Sequence, residues 1–274
     1  MNKGMFFLLA TLLSSAAHAG QWVISAGGTY ARSSSTVSAN NLSGDEEVSV
    51  SFEKDLNVTD ASFFPELSIA YEFNERHMLG FSYVSLHRDG TNTRISQPFE
   101  IDWIDDNVYE VQVGADITTT FNYDVYRLTY GYKVLHRDAY DLSLNAGLHI
   151  IPIELGFSGT LAACVDGQCD SSQARAVSSS VTAPLPNFGL TGVWRFYPRW
   201  NLTANAQYFY LKVDQFTGSL LDVNASVNYN LTDAWSVGMG YGLYDLYANR
   251  KQSSSELEVD VRYQGAKAAV AYRF

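Results

Sequence analysis

From residue 200 to residue 274 the chain alternates apolar and polar residues in runs joined by short turns. In 220–231, Leu221, Val223, Ala225, Val227, Tyr229 and Leu231 alternate with Asp222, Asn224, Ser226, Asn228 and Asn230. Successive strand side chains point to opposite faces, so this segment has one apolar and one polar face. Leu202, Ala204, Ala206, Tyr208 and Tyr210 repeat the pattern against Thr203, Asn205 and Gln207, and Trp235, Val237, Met239, Tyr241 and Leu243 oppose Ser236, Gly238, Gly240 and Gly242. Alternation alone would also suit a soluble sandwich. Length separates the two: a tilted strand needs about 9–11 residues to cross a bilayer, whereas a soluble strand typically has about 5–6. In the last run the pattern changes phase near Gln264 and Gly265, which predicts a β-bulge.

The same reading predicts strands over 22–32, 63–73, 78–87, 118–135, 141–157 and 184–197. Long polar loops are predicted up to residue 62, over 88–116 and over 161–183. The first strand has two nearly equally apolar faces and is left without a phase. Elsewhere Leu67, Ile69, Tyr71 and Phe73 face outward against Glu66, Ser68 and Glu72. Tyr126, Leu128, Tyr130, Tyr132 and Val134 likewise oppose Arg127 and Lys133, and Ser143, Asn145, His149 and Arg195 point inward. The predicted fold is an all-β, transmembrane, antiparallel up-and-down barrel of about ten strands, within a range of about eight to twelve. Short turns at one end mark the periplasmic side and long loops the outer side. Tyr71, Phe73, Tyr132, Trp194, Phe196, Trp200, Trp235 and Phe274 lie beside the short turns, as an interfacial aromatic girdle should. Buried charges must be paired, so Glu66, Glu72, Arg127, His149 and Arg195 are expected to form a lumen network.

Lys3, the apolar core from Met5 to Leu13 and Ala17-His18-Ala19 read as a secretory signal peptide. Residues 1–19 would then be the leader and 20–274 the barrel domain. The mean hydropathy of -0.10 does not oppose a membrane location, because half of each barrel strand faces a polar lumen. A net charge of -11 argues against nucleic acid as a partner. Much of the acid falls in predicted outer loops: Asp45, Glu46, Glu47, Glu53 and Asp55 in the first, and Glu100, Asp102, Asp105, Asp106, Glu110 and Asp116 in the second. These are read as solvated. A divalent cation bridging them to lipopolysaccharide is the alternative, but no loop-binding motif is present, and neither a metal nor a cofactor is expected. Cys164 and Cys169, in C-V-D-G-Q-C, are expected to form a disulfide, since an exported chain folds in an oxidising compartment.

The stretches A-Q-Y-F-Y-L-K-V-D-Q-F-T-G-S-L-L-D-V-N-A-S-V-N-Y-N from Ala206, G-L-H-I-I-P-I-E-L-G-F-S-G-T-L from Gly147 and A-P-L-P-N-F-G-L from Ala183 resemble a family of uncharacterised proteobacterial outer-membrane β-barrel proteins. The resemblance covers roughly the C-terminal half and implies an exported barrel with no catalytic motif to carry over. The ending V-A-Y-R-F resembles the recognition signal of bacterial outer-membrane barrels, which makes Tyr272 and Phe274 the expected assembly signal. The implied partners are outer-membrane lipids and lipopolysaccharide, the barrel-assembly machinery and periplasmic chaperones.

No catalytic set stands out. A lipid A deacylase would need Ser and His on the lipid-facing side, whereas His149 is predicted inward. An omptin-like protease would need paired acids and an Asp–His couple at the outer rim, for which His87 with Asp89 is a faint echo. The expected role is structural or surface-interacting, around a lumen filled by side chains. A narrow channel for small solutes is the alternative.

Deleting Phe274 should lower the amount of folded protein in the outer membrane and raise periplasmic degradation, while refolding into detergent stays nearly intact. An interfacial aromatic contributes at most about 1.5–3 kcal/mol to the finished barrel. Fractionation and immunoblotting of the truncated protein check this, and normal outer-membrane levels would remove the terminal signal.

Overall fold

The computed structural model describes residues 20–41, 47–92, 99–101, 108–111, 116–165, 168–169, 173–251 and 255–274. The alternating runs form antiparallel strands: β1 (Gln21–Asn41), β2 (Glu47–Ser51), β3 (Ala61–Glu72), β4 (His77–Asn92), β5 (Phe99–Ile101), β6 (Val108–Val111), β7 (Ile117–His136), β8 (Tyr140–Val165), β9 (Gln168–Cys169), β10 (Gln173–Tyr197), β11 (Trp200–Val213), β12 (Phe216–Asn230), β13 (Trp235–Lys251) and β14 (Ser255–Arg273). Ten of them (β1, β3, β4, β7, β8 and β10 to β14) pair in sequence order, and β14 returns to β1 to close the barrel. Closure leaves no strand edge to hydrocarbon, where each unpaired backbone group would cost several kcal/mol. The shorter strands are side ribbons: β2 on β1, β9 on β8, and β5 on β6, which pairs with β8.

The strands outrun the predicted loops. β1 continues to Asn41, β4 to Asn92 and β8 to Val165, and β10 begins at Gln173. Much of 161–183 is therefore paired ribbon, with Gln173 opposite Leu161. β8 has 26 residues and β10 has 25. A tilted strand crosses the bilayer with about 9–11 residues, so the barrel wall stands roughly 20 Å or more above the membrane.

Along this length the chemistry of the two faces exchanges. In the lower half the outward residues are apolar: Ile24, Leu67, Phe81, Leu128, Leu144, Leu190, Met239 and Val270 are all exposed on the wall. In the upper half the buried inward residues are mostly apolar instead, with Ser33, Ser35, Arg88 and Thr119 as the polar ones among them. Phe64, Val84, Leu86, Phe121, Tyr123, Val125, Ile151, Leu155, Phe157, Leu220, Tyr244, Leu246, Val261 and Tyr263 pack into one core inside the barrel. The backbone keeps its period of two, so the crossover puts apolar residues next to one another in sequence: Phe63-Phe64, Tyr83-Val84, Val125-Tyr126, Ile150-Ile151, Tyr208-Phe209, Leu220-Leu221 and Leu243-Tyr244. These doublets lie beside each other across the sheet, where Val84 faces Val125, Tyr126 faces Ile150 and Phe209 faces Leu220.

This exchange corrects the expected bulge. β14 pairs with β1 without interruption through Tyr263↔Ser33, Gln264↔Arg32 and Gly265↔Ala31, and with β13 through the same residues. The change of phase is chemical. Val261 and Tyr263 point into the core above the membrane, whereas Ala266, Ala268, Val270 and Tyr272 point outward below it. Register shifts occur instead near the periplasmic end, between Lys133 and Leu135 and between Trp194 and Tyr197. The first exposes Leu135 on the wall, where Val134 was expected.

Aromatic rings gather at the short-turn end, as expected. Tyr71 packs on Trp22 at 4.6 Å and on Phe73 at 4.9 Å, Trp200 lies 4.8 Å from Tyr229, and Tyr272 lies between Trp235 and Phe274 at 4.7 and 5.6 Å. The Phe274 backbone also exchanges hydrogen bonds of 2.8 and 3.0 Å with Trp22 across the closing seam.

Leu220→Ala, inside the upper core, should cost about 2–5 kcal/mol through lost contacts and the cavity left behind. Met239→Ala, outward and 74% exposed, should change little, because lipid replaces the contacts it loses. Urea unfolding of both variants in vesicles checks the difference.

Candidate functional site: a layered lumen

The inward polar residues that the alternation identifies stack in layers along the barrel axis. At the periplasmic end a vestibule of about 640 Å³ is lined by Glu72, Lys133, Asp141, Thr191, Asn201 and Arg273, among others. Its charges are largely matched. Lys133 Nζ lies 3.6 Å from Glu72, and Asp141 is held by His136 at 2.7 Å and by Arg195. Above it Asn145 and Asn205 donate to Thr191 Oγ1 at 2.7 and 2.8 Å, and Asn228 donates to Asn201 and Thr203 at 2.9 and 3.1 Å.

The next layer is ionic. Arg127 lies 3.8 Å from Glu66 and 3.3 Å from Asp222, and Lys267 reaches the other oxygen of Glu66 at 2.6 Å. Two cations thus meet two anions, all mostly buried, which is the condition under which ionised groups can be held in a protein interior. The Arg127 guanidinium also sits 5.7 Å above the Tyr244 ring, which stacks on Tyr263 at 5.0 Å. Beside this layer the fully buried His149 ring lies 3.2 Å from Gln207 Oε1 and 3.3 Å from Asn187 Nδ2.

The sequence-predicted network residues therefore all lie in the lumen but in separate groups. Glu66 joins Arg127, Glu72 joins Lys133, Arg195 joins Asp141, and His149 joins a pair of amides. Asp222 was legible as an inward position of its alternating run, and Asp141 sits at the first residue of a predicted strand. Lys267 stands alone among alanines in A-K-A-A, where an isolated cation in an apolar run asks for a partner. Gln207 and Asn187 gave no signal beyond their parity.

The uppermost layer is the apolar core, and its roof comes from the first outer segment. Phe52, Leu56 and Val58 are 0–2% exposed, and Phe52 stacks on Phe121 at 5.0 Å. Val58 bridges to Gly90, where a side chain would run into the Val58 and Asn57 backbone, so only glycine admits the segment this closely. Inside the roof Arg88, whose side chain is 0% exposed, donates to Glu53 at 2.6 Å and to Ser35 Oγ at 2.6 Å, and its guanidinium lies 5.2 Å above Phe121. Two expectations are corrected here. Glu53 is the buried partner of Arg88 and not a solvated loop acid, and Arg88 is an inward strand residue and not the start of a loop. Asp55, in the same segment, accepts the Ser51 N–H at 2.8 Å.

Asp45, Glu46, Asp102, Asp105 and Asp106 lie outside the described residues, as does the leader. Glu47, Glu100 and Glu110 are described only as backbone, in β2, β5 and β6. The Cys164 and Cys169 side chains also lie outside the description, but their backbones face each other across the β8–β9 hairpin. The pairing of His87 with Asp89 is not formed: His87 Nε2 lies 3.2 Å from Asp124, on the outer wall. Among the described residues no group of three or more His, Cys, Asp or Glu side chains is placed to hold a metal ion.

No protein-family model and no curated protein matches the chain. Among solved structures it is similar to the outer membrane protease OmpT from Escherichia coli, at 12% identity over 93% of this chain and 97% of that one, with a TM-score of 0.61. It also aligns with Ail of Yersinia pestis (14% identity, 94% and 100% covered, TM-score 0.31) and with OprG from Pseudomonas aeruginosa (12%, 93% and 96%, TM-score 0.36). The likeness to OmpT is one of fold. With the apolar belt and the aromatic girdle, it identifies the chain as a ten-stranded outer-membrane β-barrel.

Arg127→Met should destabilise the barrel by about 3–5 kcal/mol, because Glu66 and Asp222 would share a single cation. Adding Asp222→Asn restores one charge of each sign and should recover part of the loss. Urea midpoints of the single and double variants measure it.

Proposed function

We propose that this outer-membrane barrel has a structural or surface-interaction role, and that its lumen is a stabilising core and not a solute path. The observation that carries this reading is the apolar core above the ionic layer, roofed by Phe52, Leu56 and Val58. A water-filled pore needs a continuous polar surface. Here an ion rising from the vestibule would meet a neutralised charge layer and then closely packed aromatic and aliphatic side chains. What the barrel offers its surroundings is therefore its exterior: the lipid-facing wall and the ribbons that stand above the membrane.

In this reading lipopolysaccharide and other outer-membrane lipids surround the wall, and periplasmic chaperones and the barrel-assembly machinery act during export. The facing backbones of Cys164 and Cys169 favour a disulfide that would brace the tip of the β8–β9 hairpin.

Purified protein added to planar bilayers should give no discrete conductance steps above the lipid baseline across a range of voltages. Reproducible steps from the unaltered protein would overturn the closed-lumen reading in favour of a narrow channel.

A further inference from the structure

The outer wall between β4 and β7 carries a polar cluster at the height where the apolar belt ends. Tyr83, Ser85 and His87 share the outward face of β4, and Asp124 stands directly opposite Ser85 on β7. His87 Nε2 lies 3.2 Å from Asp124 Oδ1, and Tyr83 donates to the same oxygen at 3.1 Å. The His87 side chain is 56% exposed. β4 starts at His77, beside the periplasmic turn, and His87 comes ten residues later. That distance matches the about 9–11 residues of a transmembrane strand, which sets the cluster at the outer edge of the hydrocarbon.

Directly beneath it, on the membrane side, Ile24, Leu67, Ile69, Phe81, Tyr83 and Tyr126 line an outward groove of about 510 Å³. Such a groove faces the hydrocarbon of the outer leaflet, so its natural occupant is an acyl chain. The chain's carbonyl end would then lie beside the Tyr83–Asp124–His87 cluster, since Tyr83 belongs to both.

We infer that Ser85, His87 and Asp124 form a hydrolase site that cleaves an ester-linked acyl chain of lipopolysaccharide lying in this groove. This goes beyond the reading of the lumen, on which it does not depend. Asp124 fixes the imidazole through Nε2 and leaves Nδ1 free. Ser85 and His87 are two residues apart on one strand face, about 6.6–6.8 Å between Cα atoms, within reach of each other once the serine hydroxyl turns toward the imidazole. His87 Nδ1 then takes the Ser85 proton as Oγ attacks the ester carbonyl. The C–O bond to the glycolipid alcohol breaks, and the alcohol leaves with the proton held by His87. Water then attacks the acyl-serine, gives its proton to His87 and releases the fatty acid, and the serine recovers its proton. The sum is ester plus water to alcohol plus acid. Tyr83 is a positioning residue that holds Asp124.

The test incubates purified, folded protein with lipopolysaccharide in one arm and phosphatidylethanolamine vesicles in the other, and reads the lipids by mass spectrometry. Lipopolysaccharide should lose one acyl chain. Ser85→Ala and His87→Asn should each slow the release at least about 100-fold while keeping the heat-dependent gel shift of a folded barrel. A short-chain fluorophosphonate should label Ser85. Ile69→Trp, which narrows the groove, should slow acyl release yet leave that labelling unchanged. Acyl release in neither arm, release that persists in Ser85→Ala, or release from phosphatidylethanolamine alone would each overturn the proposal.

Discussion

A β-strand has a fixed period, but the medium outside this barrel is not uniform. Every other residue must face outward along the full length of a strand such as β8, and that outward path runs first through hydrocarbon and then through water. The apolar residues therefore have to change sides partway up. Below the boundary the apolar face meets lipid and the lumen takes the polar residues. Above it the outward face is hydrated, as at Asp260, Arg262 and Asp124, and the lumen takes the apolar ones. The upper barrel is thus built as a soluble protein is, around a hydrophobic core, and the lower barrel is the reverse of one.

The exchange decides where charge can be tolerated. In the proposed reading the apolar core cuts the polar lumen off from the outer side, so the groups beneath it would not be hydrated from above. They must satisfy each other. Arg127 and Lys267 against Glu66 and Asp222 do so at the underside of the core, with the stacked Tyr244 and Tyr263 rings as the transition between ionic and apolar layers. The Arg88–Glu53 pair solves the same problem from the other side. It lies within the apolar roof, where the Arg88 guanidinium lies over the Phe121 ring and is matched by one carboxylate and a serine hydroxyl. Removing either partner would leave a buried charge, which couples the 52–58 segment to β4 more tightly than its apolar contacts alone.

The membrane-spanning half was legible because, outside the register shifts near Lys133 and Trp194, its alternation keeps one phase with the apolar residues facing outward. The meander from 200 to 274, the inward parity of Glu66, Arg127 and His149 and the aromatic girdle follow from that alone. The upper half was obscured because alternation with the opposite sense looks like noise, or like a bulge, when one exterior is assumed throughout. In β14 the parity of Val261 and Tyr263 differs from that of Ala268 and Val270 while the backbone runs straight. The apolar doublets such as Val125-Tyr126 and Ile150-Ile151 were the available signal, since a strand with a single sense of alternation has no use for two adjacent large apolar residues. The segment 161–183 read as a loop for a related reason: it is rich in serine, and strands standing in water can carry serine outward. The roof could not be read locally. Phe52, Leu56 and Val58 lie in an acidic segment, and nothing short of the closed barrel shows that a dry interior awaits them.

The boundary where the faces exchange is also where the exterior becomes chemically versatile. Within the hydrocarbon an outward Asp or His would be costly, and well above it such residues are solvated and far from lipid. At the level of Ser85, His87 and Asp124 a side chain can keep water on one side and an acyl chain on the other, which is the environment an ester at the lipid surface occupies. The outward face of β4 makes the transition in one step, with Leu79, Phe81 and Tyr83 below and Ser85, His87 and Asp89 above. Its inward face does the opposite with Ser82, Val84 and Leu86. The same exchange that turns apolar residues into the upper lumen therefore brings polar groups to the lipid boundary on the outer wall, so the proposed closed interior and the proposed outer-wall site would follow from one constraint.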